Sequence, residues 1–265
     1  MPLVTKMSDS RPIGIFDSGV GGLTVARQIM GELPNERLVY FGDCARAPYG
    51  GRTAEELAAF SRQIIGFLAG HDVKALVVAC GTISARIFHQ VQAMTNIPAV
   101  GMVAAGVNAV LETKKTSIAV AATAGTVASK AHEKAICAAN PDIRVISIAC
   151  PDFVTLAESG LQNSSEADSA AAKYLGGLGH VEALLLGCTH YPLLQNSIAK
   201  AMPGAEIIDP AAGLTRELKT ALARRGLLST APGQHKFFVS GGPEKFAKMA
   251  EIVLKQKHNI ETIEL

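Results

Sequence analysis

The sequence has no tryptophan, and phenylalanine and tyrosine together make up the 5% that is aromatic. A surface that stacks exposed bases needs several such rings, so a nucleic-acid platform is excluded. Charge of one sign is also scarce. The 25 basic and 23 acidic residues leave a formal net charge of +2, too little for a phosphate-tracking stripe. No run approaches the roughly 18 consecutive apolar residues of a spanning helix, so no membrane partner is expected. The N-terminal residues 1–11 lack the apolar segment of a secretion signal. Met7 offers a second start, and residues 1–6 are set aside from the fold. The cysteines number five, an odd count, and are widely spaced. They read as reduced thiols of a cytoplasmic protein, not as a disulfide framework. No CxxC pair or HxxxH helix occurs, and Cys188-Thr189-His190 offers two ligands at most, so no metal is expected. The GxGxxG spacing of a dinucleotide loop is missing too.

What the chain does contain is apolar: 48% of 265 residues, enough for one or two domains with buried cores. Short β-branched runs at 13–16, 38–41, 75–79, 117–121, 143–148, 183–186, 206–208 and 236–239 alternate with helical spacing at 23–33, 54–68, 84–94 and 214–225. Uninterrupted apolar runs such as Ala75-Leu76-Val77-Val78-Ala79 are the sequence form of strands covered on both faces, hence an α/β fold with mostly parallel sheets. One internal similarity stands out. VKALVVAC at 73–80 aligns with VEALLLGC at 181–188. Each copy is a buried strand ending in cysteine with a helix expected after it. A weaker echo pairs Ile15-Phe16-Asp17-Ser18 with Val120-Ala121-Ala122-Thr123 at a similar offset. Two copies of one α/β unit would face each other across a cleft. Ligands sit at the carboxyl ends of parallel strands, so Cys80 and Cys188 would both face that cleft.

Taken singly, a buried cysteine is more often structural, and Cys44, Cys137 and Cys150 are read so. Cys80 and Cys188 differ because they occupy matching places. Free N–H groups at a helix start lower a thiol below its usual value of about 8.5, favouring a base or nucleophile near neutral pH. His190, two residues after Cys188, is placed to protonate the thiol or contact a carboxylate. The glycine-rich 17–22 loop lets backbone approach a ligand, with N–H groups that favour an anion. Asp17 in the same loop argues instead for an ammonium group. Pro48, Gly50 and Gly51 make a tight loop before a helix capped by Thr53 with Glu56 three positions on, which places Tyr49 and Gly50 at the cleft mouth. Thr123 and Thr126 repeat the strand–turn–helix pattern with two hydroxyls.

Five segments fall in one order: GIFDSGVGGL at 14–23, YFGD at 40–43 with PYG at 48–50, VACGT at 78–82, LGCTHYPL at 186–193, and GGPEKF at 241–246. In these the sequence resembles the glutamate racemases of the aspartate/glutamate racemase superfamily, from about Pro12 to its end. The resemblance implies two pseudo-symmetric α/β domains, taken as 7–100 plus 211–265 and 101–210, with the active site in the cleft between them. It implies a cofactor-independent isomerase, a cytoplasmic homodimer that interconverts L- and D-glutamate and supplies D-glutamate for peptidoglycan. Cys80 and Cys188 fall on its catalytic positions. Asp17, Ser18, Tyr49, Gly50, Thr82, Thr123, Thr126, Thr189 and His190 fall on its substrate contacts, and Glu158 on a supporting acidic position. The family usually reads Cys-Asn-Thr where this chain has Cys80-Gly81-Thr82, which leaves Gly81 without the side chain that holds substrate. At 207–212 the chain reads IIDPAA where the family commonly has Asp-Ser-Gly-Ala.

Two thiols suit the chemistry. Inverting an α-carbon needs a proton taken from one face and another delivered to the opposite face, and a lone base tends to return it where it came from. Developing carbanion charge then needs fixed donors in a cleft closed to water. By resemblance, Cys80 acts on the D form and Cys188 on the L form. Aspartate is the close rival substrate. A Cys188–His190 hydrolase and a non-catalytic binding protein are the alternatives of other classes.

Overall fold

The computed structural model describes residues 8–265, so the reading of Met7 as a second start falls outside the described residues. The chain runs β1 (Ile13–Asp17), α1 (Leu23–Glu32), β2 (Leu38–Gly42), α2 (Ala54–Ala69), β3 (Ala75–Val78), α3 (Gly81–Arg86), α4 (Phe88–Ala93) and β4 (Ala99–Gly101). It continues through α5 (Met102–Glu112), β5 (Ser117–Ala122), α6 (Ala124–Ser129), α7 (Ala131–Ala139), β6 (Arg144–Ala149), α8 (Asp152–Glu158), α9 (Ser165–Leu175), β7 (Ala183–Leu186), α10 (Gln195–Ala201) and β8 (Glu206–Ile208). It closes with α11 (Ala211–Arg224), β9 (Lys236–Val239), α12 (Pro243–Leu254) and β10 (Ile260–Thr262).

The strands form two separate sheets, β10-β9-β2-β1-β3-β4 and β6-β5-β7-β8. Every described pairing is parallel. The expected α/β class therefore holds. The internal similarity has a topological counterpart: β2-β1-β3-β4 and β6-β5-β7-β8 are the same order, and β3 and β7, the strands that lead to Cys80 and Cys188, are equivalent. Both lie beside the first strand of their unit, β1 and β5.

Alternation along the strands assigns each side chain to a helical layer. Ile13, Ile15, Tyr40 and Val77 pack with α1, α11 and α12 on one face of the larger sheet. Phe16, Phe41 and Val78 pack with α2 on the other. The helices begin where the sequence says they should. Thr53 caps α2, accepting from the Glu56 N–H at 3.2 Å while Glu56 accepts from the Thr53 N–H at 2.8 Å. The chain crosses between sheets twice, through α5 and α11, which pack together through Met102, Ala105, Leu214 and Leu218.

One expectation needs correction, and two strands were not foreseen. The single helix read over 84–94 is split into α3 and α4, because Ile87 leaves the helical region (φ −139°, ψ 17°) to bury its side chain in the core beneath β3. The three-residue strands β4 and β10 lie at the two edges of the larger sheet and are too short to show a periodic run.

A buried ion pair anchors the end of β3 remote from Cys80. Lys74 Nζ lies 2.5 Å from Glu36 Oε2, without hydrogen-bond alignment, and donates to the Asp9 carbonyl at 2.6 Å. Glu36 Oε1 accepts from the Ser229 N–H at 2.9 Å. Both side chains are fully buried, so removing one strands the other. Lys74→Met is expected to cost about 3–5 kcal/mol in urea unfolding, with part regained in Lys74→Met/Glu36→Gln, where no buried charge remains.

Candidate active site

Cys80 and Cys188 each stand two residues past the end of their equivalent strands, β3 and β7. Their side chains are nearly closed off, at 3% and 7% exposure. Both line one cavity of about 30 Å³ between the two sheets' carboxyl ends. Ser18, Tyr49, Gly50, Gly81, Thr82, Thr123, Thr189, His190 and Asp17 line it with them, as does Glu158. Thr126 does not line it. It stands behind Thr123, whose hydroxyl donates to Thr126 Oγ1 at 3.0 Å and accepts from the Thr126 N–H at 3.3 Å. The α6 start places Thr126 there, in the first turn, facing the capping Thr123. Cys44, Cys137 and Cys150 are free thiols that do not line this cavity.

The glycine-rich loop differs from the expectation of an anion site. Asp17 Oδ2 accepts from the N–H groups of Gly19 and Gly22 at 3.1 and 3.0 Å, so the loop's own carboxylate takes these donors. Asp17 Oδ1 accepts a long 3.5 Å contact from the Thr189 hydroxyl. That oxygen is left as an acceptor toward the cavity, consistent with an ammonium ligand. The close backbone approach that glycine permits here is to the other unit. A Cβ on Gly21 would meet His190 Nδ1 at 2.5 Å and the Thr189 hydroxyl. Thr24 Oγ1 donates across the same contact to the Thr189 carbonyl at 3.2 Å.

Gly81 follows the same logic. Its φ is not positive, so backbone strain does not demand glycine. A Cβ would instead run into the carbonyl oxygen of Gly187, the residue before Cys188. The backbone of one cysteine turn fills the space where a side chain on the other would begin.

Thr82 and Thr123 complete the contact between units, with their hydroxyls 3.1 Å apart. Tyr49 and Gly50 are held by the network around Asp43. Asp43 Oδ2 accepts from the Tyr49 hydroxyl and from Arg46 Nε at 2.7 Å, and Oδ1 from Ser240 at 2.7 Å. Burial first, and then the Asp43 charge, hold the Tyr49 phenol far above its ordinary range, so it stays a neutral donor. Asp43 lies in the YFGD motif, but its bond to Ser240 carried no sequence signal, since the two are nearly 200 residues apart.

The thiol expectation is reversed at Cys80. Burial pushes it up to about 12, Asp17 adds to that, and the Ile83 and Thr82 N–H groups at the start of α3 only partly oppose it. At Cys188 the expected helix start is a bend and one 3-10 turn, Tyr191–Leu194, with Pro192 in its opening positions, and α10 begins only at Gln195. His190 Nδ1 lies 3.7 Å from Cys188 Sγ, and its Nε2 is 3.2 Å from Glu158 Oε1. Burial works against charging His190, but its bonds to Cys188 and Glu158 outweigh that and raise it to about 10. The His190 bond chiefly, with Lys245, draws Glu158 down to about 2 against the effect of burial. Among the described residues no lysine or arginine lines the cavity, so ligand carboxylates would rely on hydroxyls, N–H groups and His190. Val154 and Pro48 add apolar wall that the motifs did not single out.

The family model described as Asp/Glu/Hydantoin racemase matches residues 24–218. The glutamate racemase of Streptococcus pneumoniae serotype 19F (strain G54) is 39% identical over 264 residues, covering 97% of this chain and 100% of the relative. The crystal structure of glutamate racemase from Francisella tularensis, in complex with D-glutamate, superposes with a TM-score of 0.90 at 37% identity, covering 97% and 98% of the two chains. A glutamate racemase isoform from Bacillus anthracis gives a TM-score of 0.92 at 37% identity over 96% and 97%.

A raised histidine makes stability depend on pH with a definite sign. His190 stabilises the folded state fully below its unfolded value near 6.5, and that contribution is lost as pH rises through about 10. The gap in urea midpoint between the natural chain and His190→Gln is therefore expected to shrink from pH 6.5 to 10. A constant gap would contradict a protonated His190.

Proposed function

The chain belongs to the Asp/Glu/Hydantoin racemase family, and from that premise we propose that it interconverts L- and D-glutamate by proton transfer between Cys80 and Cys188. The observation that carries the reading is the placement of both cysteines: equivalent positions in two like-ordered sheets, lining one cavity. One thiolate removes the α-proton, breaking the Cα–H bond and leaving its electron pair as a carbanion. The opposite thiol donates its proton to the other face, and the two sulfurs end with exchanged protonation. Cys80 is assigned to the D form and Cys188 to the L form. Asp17 receives the substrate ammonium, and the hydroxyls of Ser18, Thr82, Thr123 and Thr189 receive its carboxylates.

The high value at Cys80 fits this chemistry better than the lowered one expected from sequence. A thiolate of high pKa is scarce but strongly basic, and the α-proton it must take is weakly acidic. Burial that makes it scarce also strengthens every fixed dipole around the developing charge. Cys188, His190 and Glu158 also form the thiol–imidazole–carboxylate chain of a hydrolase. That reading gives Cys80 no role, whereas the cavity holds both thiols. We further propose a cytoplasmic homodimer that supplies D-glutamate for peptidoglycan, divided into units 7–100 with 211–265, and 101–210.

Turnover of L-glutamate in heavy water, with L-aspartate run in parallel, tests the reading. Deuterium is expected at the α-carbon of glutamate as the D form accumulates. Cys80→Ser and Cys188→Ser are each expected to lose racemisation by far more than tenfold, because a serine hydroxyl ionises too weakly to replace a thiolate. A loss within tenfold, about 1.4 kcal/mol, would overturn the two-thiol mechanism.

Gly81→Asn restores the family's side chain but places a Cβ against the Gly187 carbonyl. It is expected to lower kcat/KM at least tenfold. The loss must be equal in both directions, since enantiomers have the same free energy in water. An improved kcat/KM measured by chiral chromatography would show that the two turns can separate without cost.

A further inference from the structure

The lysine that pairs with Glu158 comes from the opposite unit. Lys245 Nζ, on α12 of the larger-sheet unit, donates to Glu158 Oε2 at 2.9 Å, while the other oxygen of Glu158, on α8 of the smaller-sheet unit, holds His190 at 3.2 Å. Gly242, with φ 59°, turns the chain into α12, so Lys245 stands in the first helical turn. A cation at a helix N-terminus is electrostatically disfavoured by the macrodipole. Its own helix thus gives no reason for a lysine here; the Glu158 carboxylate does.

Glu158 is also a wall shared by two spaces. On one side is the catalytic cavity of about 30 Å³, room for little more than a water molecule. On the other is a pocket of about 170 Å³, bounded by Lys245, Cys44 and Phe246. Both thiols are nearly closed off, so an amino acid gains access to them by the cleft opening, and opening separates α12 from α8. The groups facing Glu158 are His190 and Lys245, with the Cys44 thiol near enough to feel its charge and Asp17 acting on His190 from beyond. The neutral links between units, Thr24 to Thr189 and Thr82 to Thr123, carry no charge to the site.

We propose that Lys245 is a positioning residue, a latch across the cleft whose bond to Glu158 forms on closure and fixes the carboxylate that orients His190 beside Cys188. The role deepens the racemase reading and rests on it, but its first test does not require turnover. Cys80 and Cys188 are nearly sealed, so their alkylation by iodoacetamide reports opening; Cys137, which does not line the cavity, serves as the internal control.

Alkylation without amino acid, assigned by peptide mass spectrometry, is expected to run two- to fivefold faster at Cys80 and Cys188 in Lys245→Met, the scale of an ion pair whose lysine is 58% exposed. Lys245→Arg should restore the natural rate. Added salt should speed the natural chain and leave Lys245→Met unchanged. Equal rates in the natural chain and Lys245→Met at low salt would overturn the latch whether or not glutamate is racemised. With glutamate, Lys245→Met is expected to lower kcat more for the L form, where Cys188 is the base, than for the D form, with KM changing in proportion. Unchanged kcat for both forms would overturn the coupling to His190. Failure of the natural chain to racemise glutamate would sink the proposed function and leave the alkylation result readable.

Discussion

The contact between the two cysteine turns governs the rest of this molecule. Cys80-Gly81 comes from one sheet and Gly187-Cys188 from the other, and the Gly187 carbonyl occupies the place where a side chain at 81 would start. Two thiols that belong to different sheets come to line one small cavity only because these backbones meet. The same closeness recurs where Gly21 lies against Thr189 and His190. Substituting bulk at either contact would move the units apart, and with them the two sulfurs. Gly81 is therefore the counterpart of a tight closure, because a side chain there would begin inside the Gly187 backbone.

Closure also sets the electrostatics. Burial raises the Cys80 thiol to about 12 even though N–H groups point at it, because desolvation of the anion exceeds what two donors return. At His190 partner bonds outweigh burial. Glu158 and Cys188 together hold a buried imidazole charged, and Glu158 is itself drawn down to about 2. The two thiols thus have different surroundings: one is set among Asp17 and N–H dipoles, the other within an imidazolium–carboxylate chain. The likeness between the units lies in a shared four-strand order, β2-β1-β3-β4 and β6-β5-β7-β8, and stops at the side chains.

Much of this was legible in the residues. Continuous apolar runs fix parallel strands covered on both sides, since only a side chain that is buried on either face can be apolar at every position. The 73–80 and 181–188 similarity identifies two equivalent strands, and the sheets bear the same four-strand order. The Thr53–Glu56 cap was fixed by two side chains three residues apart, a spacing that needs no tertiary partner. Cys80, Cys188 and their polar neighbours announced themselves by position.

Other features depend on groups far apart in the chain. That the 17–22 loop spends its N–H donors on Asp17 is local in sequence, but only the folded turn shows which donor reaches which oxygen. The break at Ile87 follows from a core that accepts its side chain, not from any breaker residue. The sign of the Cys80 shift was beyond sequence because it is set by the water the fold excludes, and Thr126's retreat behind Thr123 because it is set by side-chain geometry in one turn. The partners Asp43–Ser240 and Glu158–Lys245 come together across 197 and 87 residues. Sequence by itself determined the strands, the repeated unit and the residue types at the site, since these rest on periodicity and local spacing. Tertiary structure alone decided charge states, closure and the groups that cross the cleft, because each depends on distance and burial between segments whose separation no local pattern encodes.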